Sequence, residues 1–243
     1  MSDDAVKPDA PSEEAHQAAL RAIYEDDEPE IVEEISYPDF AFSIDGMDPR
    51  NLAILFSKSE LRVLDKELDR IIAEISSTRQ ALDLTHADKD LLIVRAKDLR
   101  REFDETKMRR TRLRSVEGNI PLKNVLAHLT TQESKLQKLE SAEKTLDPVI
   151  FEEEKKRLQV RIKNLKNDLK STLKVSKQWA KSMDSEIKHL RREQSRLDAK
   201  LKIGDISQTA YDSKMKDITN SIVIIEGGKK TLEEIIQLAE KTK

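Results

Sequence analysis

Between Leu61 and Leu113 the apolar positions step alternately by three and four residues, which constrains the fold more than any other feature of the chain. Leu61, Leu64, Leu68, Ile71, Ile75, Thr78 and Leu82 set the frame, and Leu92, Ala96, Leu99, Phe103 and Leu113 continue it over more than seven heptads. Such a repeat puts one apolar stripe along a helix, and the stripe needs a partner helix to cover it. Thr85, Lys89, Thr106 and Arg110 fall on the same seam, where polar side chains weaken packing but fix register. The spacing predicts one rod from about 50 to 116, roughly 100 Å long at 1.5 Å per residue.

Gly118-Asn119 then supplies a helix stop, and Pro121 suits the first turn of a following helix. The stretch between the two therefore reads as a reversal between rods. A second helix is predicted over about 121–146, with Leu122, Val125, Leu129, Leu136, Leu139 and Leu146 in frame. Asp147 as cap, Pro148 as first residue and three glutamates behind them restart a third helix, 148–203. Whether the chain turns or only kinks at Pro148 is left open by the sequence. In this third helix Leu165, Leu169 and Leu173 make two consecutive steps of four, which shifts the frame. Trp179 follows directly and suits a core anchor better than an exposed binding residue. A last helical segment, 204–243, is capped by Ser207 and is expected to break at Gly227-Gly228.

Composition agrees with rods. The chain is 37% charged and 4% aromatic, with five glycines in 243 residues, so an all-α protein of long coiled-coil helical hairpins is expected. Zero cysteines exclude thiol catalysis and Cys-based zinc sites. No run approaches the roughly 18 apolar residues that span a bilayer, and the acidic N-terminus does not resemble a secretory signal, so the protein is expected to be cytoplasmic. The four histidines are scattered; His86 with Asp90 has helical spacing but no third ligand. No catalytic residue, metal site or cofactor is expected.

The charge is segregated. Residues 1–50 hold 15 acids and three bases, whereas residues 155–202 hold 16 bases and five acids. The acidic segment 1–49 is expected to be largely disordered. It contains one short helix, SEEAHQAALRAIY, and an aromatic extended motif in which Tyr37, Phe40 and Phe42 are candidates for docking a partner protein. Before the Gly118 break, Lys107, Arg109, Arg110, Arg112 and Arg114 crowd about two helical turns with no acid between them. Mutual repulsion asks for an offsetting anion: a phosphate backbone, a lipid surface or the acidic segment itself. A solvated hairpin tip with no ligand is the plain alternative. No aromatics interleave with these arginines, which argues against base stacking.

Residues 196–218, RLDAKLKIGDISQTAYDSKMKDI, have Leu197 and Leu201 before a Gly204-Asp205-Ile206 turn and Tyr211 and Met215 after it. This resembles the short C-terminal oligomerisation domain of many prokaryotic proteins. The resemblance implies that Leu197, Leu201, Ile206 and Tyr211 mediate self-association. The arrangement of long charged hairpins with an acidic terminal segment is also loosely similar to the ESCRT-III class and to archaeal division coiled coils, which implies a membrane-associated filament.

The expected function is a non-enzymatic scaffold. It self-associates through the seam residues Leu61, Leu64, Leu68, Ile71, Ile75 and Leu82, and its basic helical surface contacts an anionic partner. A membrane surface and nucleic acid bound through its phosphates both fit that partner. A pure protein adaptor or chaperone is the further alternative.

Overall fold

The computed structural model describes residues 37–84, 88–145 and 147–242. The described residues are all-α, with five helices: α1 Pro49–Leu82, α2 Lys89–Arg114, α3 Pro121–Ser141, α4 Pro148–Lys202 and α5 Gln208–Thr242. A single 3-10 turn, Glu143–Thr145, follows α3. The expectations of a disordered segment with a short helix over 1–36, and those on His86 and Leu146, lie outside the described residues.

Capping chemistry sets the boundaries. The Asn51 N–H donates to Asp48 Oδ1 at 2.8 Å and opens α1 ahead of Pro49. Asp88 accepts from the Leu91 N–H at 3.1 Å, and Asp147 accepts from Val149 at 2.8 Å and Ile150 at 3.3 Å. Each aspartate satisfies a donor that the first helical turn leaves free. The Ser207 hydroxyl does the same for Ala210 at 3.2 Å. After α4, Gly204 takes φ 75°, and the Gly204 and Asp205 N–H groups donate back to Leu201 and Lys200 at 3.0 and 2.9 Å. That is the left-handed glycine cap which closes a helix end.

The single rod over 50–116 is not formed. α1 ends at Leu82, α2 starts at Lys89, and the two pack antiparallel, with Arg70 paired to Glu102 and Arg109 to Glu60. Asp83 and Asp88, both poor helix formers, bracket the break, and Asp88 is worth more as a cap than inside a helix. The frame itself keeps its phase. Ile71 and Leu99 are fully buried, and Leu61, Leu64, Leu68 and Leu82 are half-buried, as are Leu92, Ala96 and Phe103; Ile75 is more open. The stripe is covered within one chain.

The link 115–120 is likewise no reversal. α2 packs on α1, whereas α3 packs on α4 and α5. Successive pairings α1 with α5, α5 with α4 and α4 with α3 are each antiparallel, marked by Lys216 to Glu67, Arg191 to Glu226 and Lys166 to Glu133. α3 therefore runs in the same sense as α2. The reversal occurs between α3 and α4, just ahead of Pro148.

α4 has 55 residues, about 82 Å at 1.5 Å each, and it changes partner along its length. Leu158 and Leu165 line grooves shared with Leu139 and Gln132 of α3. Past the frame shift at Leu169–Leu173 the ion pairs go to α5 instead. The shift in the sequence thus marks the handover.

At the handover lies the apolar core, built from Phe42, Ile44 and Met47, Phe56 of α1, Leu122 and Leu129 of α3, Leu169 and Met183 of α4, and Ile225 and Leu232 of α5. Trp179 is buried there, and its indole N–H donates to the Gly46 carbonyl at 2.8 Å. Phe40, Phe42 and Phe56 stack tilted or edge-on at 5.1–5.9 Å between ring centroids. The expected break at Gly227-Gly228 is absent, because the pair does something else. α5 runs unbroken, and a Cβ at Gly228 would overlap the Phe56 ring, while one at Gly227 would meet Ser59, with its Cβ 2.9 Å away. The glycines let α5 lie close against α1.

Candidate anion-binding face

The five-cation cluster on α2 is partly neutralised from within. Arg109 makes a two-pronged pair with Glu60 of α1, at 2.7 and 3.0 Å, and sits over the Phe40 ring at 5.5 Å. Arg110 donates to Asp65 at 2.6 Å. α1 supplies two of the acids that the local sequence lacks. Lys107, Arg112 and Arg114 are exposed and make no ion pair among the described residues.

A larger basic feature lies on α4. Lys156, Lys163, Lys170, Lys174, Lys181, Lys188 and Arg192 follow one another by seven, seven, four, seven, seven and four residues. These steps keep them within about 40° of one line on the helix surface at 3.6 residues per turn. The step of four between Lys170 and Lys174 matches the shift from Leu169 to Leu173, so the row keeps a constant offset of about 120° from the buried seam. All seven are exposed, and none forms an ion pair among the described residues. Three other bases of the helix behave differently: Lys166, Lys177 and Arg191 pair with Glu133, Glu240 and Glu226 of α3 and α5 at 3.2, 2.5 and 2.9 Å. Arg157 and Arg196 pair within α4 with Glu154 and Glu193, and Arg161, in the groove with α3, makes no ion pair among the described residues. The row spans about 54 Å.

The third charge cluster holds helices together. Glu67 accepts from Arg70 at 2.6 Å and from Lys216 of α5, and Arg70 also reaches Glu74 and Glu102. Burial pushes the Glu67 carboxyl up, but hydrogen bonds from Arg70 and Lys216 and their charges outweigh it and bring its pKa down to about 2. This network ties α1, α2 and α5 together.

Phe42 is buried in the core, Phe40 is half-buried against it, and Tyr37 is half-buried. Leu197 is buried, and Leu201, Ile206 and Tyr211 are half-buried around the Gly204 turn. The Tyr211 hydroxyl donates to Asp198 at 2.7 Å, and this bond raises its pKa above the ordinary phenol value. No described helix is long and apolar enough to cross a membrane. Comparison with protein-family models, curated proteins and solved structures finds no match to this chain.

Proposed function

We propose that this chain is a non-enzymatic helical scaffold that self-associates and holds an extended anionic partner on the outward face of α4. The observation that carries the reading is the row of seven exposed cations that form no ion pair among the described residues. Like charges aligned on one face repel, and an anionic surface converts that cost into attraction. Self-association is supported by the apolar side chains left open at the free end of the α1–α2 hairpin: Ile72, Leu84, Leu91 and Val94 are each more than half exposed.

Residues 1–36 carry 12 acids against two bases, a charge that opposes the approach of an anionic partner. Removing them should tighten salt-sensitive binding to anionic vesicles or to duplex DNA; an unchanged affinity contradicts that repulsion. The cut belongs after Ser36, since Phe42, Ile44 and Met47 are part of the core. If the α2 cluster were the contact instead, replacing Lys107, Arg112 and Arg114 would abolish binding. The proposal expects that change to weaken it only modestly.

A further inference from the structure

The outward face of α4 carries apolar side chains as well as charge. Val149 precedes Lys156 by seven residues, and Val160 lies four after Lys156 and three before Lys163, so both share its face. Val149 is 67% exposed and Val160 59%. Beyond Arg192, steps of seven and four reach Ala199 and then Ile203 at the helix end, which is 78% exposed. The other residues along the line are Asn167, Gln178, Ser185 and Arg196, the last paired with Glu193; Glu152 lies on it between Val149 and Lys156, and no acid falls on it from Lys156 onward.

Apolar tips set among lysines along one exposed stripe are what a helix lying at a bilayer interface presents. A phosphodiester backbone offers those valines and Ile203 nothing. Shape points the same way. A plane meets all seven cations at once, whereas a duplex turns fully about every 34 Å and carries each phosphate strand away from a straight row. Residue choice agrees: six of the seven are lysines, point charges on long apolar stems that reach a headgroup layer, and one is the forked arginine suited to gripping single phosphates.

We infer that α4 docks lengthwise on a bilayer surface rich in anionic lipid, its cation row at headgroup level and Val149, Val160 and Ile203 entering the headgroup boundary. This rests on the reading of α4 as the anion-contacting face. The test uses the full chain with three probes: phosphatidylcholine vesicles, the same vesicles with added phosphatidylserine, and duplex DNA. Salt-sensitive binding to the phosphatidylserine vesicles is expected, and Lys170→Gln, Lys174→Gln and Lys181→Gln together should lower it about a hundredfold. Val149→Asp with Val160→Asp should weaken vesicle binding and leave any DNA binding unchanged. All five positions are exposed, and matching thermal unfolding of the variants checks that the fold is intact. Binding to DNA without binding to vesicles overturns the inference and leaves the basic-face proposal standing. Vesicle binding indifferent to the valine substitutions also overturns it, and binding to neither probe removes both.

Discussion

Gly228→Ala sets two physical effects against each other. In an exposed helix the change gains about 1 kcal/mol, because alanine has the better helix propensity. Here Gly228 is buried mid-way along α5, and the added methyl would overlap Cδ1 and Cε1 of Phe56. Phe56 is fully buried between Phe40, Phe42 and α5, so its ring has nowhere to swing. Overpacking a tight core costs about 1–3 kcal/mol, and the net expectation is a loss of about 1–2 kcal/mol after the propensity gain. Phe56→Ala alone should cost about 3–5 kcal/mol through the cavity it leaves. Combined with Gly228→Ala it should cost less than the sum, since the new methyl then enters vacated space. Urea unfolding followed by far-ultraviolet circular dichroism measures all three variants. A stabilised single Gly228→Ala variant, or strict additivity in the double variant, would refute the close approach of α1 and α5.

Arg109→Ala should destabilise by about 2 kcal/mol, because it strands the buried Glu60 carboxylate, whereas Arg110→Ala should cost about 0–1 kcal/mol with Asp65 half in solvent; chemical denaturation compares them. Trp179→Phe keeps one aromatic ring but loses the rest of the indole and its bond to Gly46, leaving that carbonyl without its donor beside a small void, and about 2 kcal/mol or more should go in the same assay. Glu67 has a folded pKa of about 2 against an ordinary 4.5, so its contribution is complete above pH about 4.5 and fades as pH falls toward 2. The unfolding midpoint should drop across that window, and Glu67→Gln should flatten the drop.

The phase of the helices was legible in the sequence because burial follows the three-four repeat whatever the partner is. Thirteen positions of α4 from Leu158 to Leu201 obey that frame, and none of them is exposed. What the repeat could not show is where a helix stops, since Thr85 and Lys89 keep the frame across the α1–α2 break. Nor could one chain say whether Gly227-Gly228 ends a helix or admits a neighbour, because both uses need only the missing Cβ. The pairing of Arg109 and Arg110 depends on acids 49 and 45 residues away, brought close only by the hairpin. The cation row was available all along. Composition registered an excess of bases over 155–202, but the steps of seven from Lys156 to Lys170 and from Lys174 to Lys188 were the sharper signal.

In the proposed function, alignment of unpaired cations on α4, and not net charge, makes the anion-contacting face. Two variants with the same change in charge test it most directly: Lys170, Lys174 and Lys181 to Gln, all from the row, and Lys166, Lys177 and Arg191 to Gln, all paired with acids of α3 or α5. Their affinities for phosphatidylserine vesicles and duplex DNA are measured side by side at one salt concentration. The row variant should lose about a hundredfold on whichever surface the wild-type chain binds, while the second variant stays within a few-fold of it. Equal losses in the two variants would contradict the proposal.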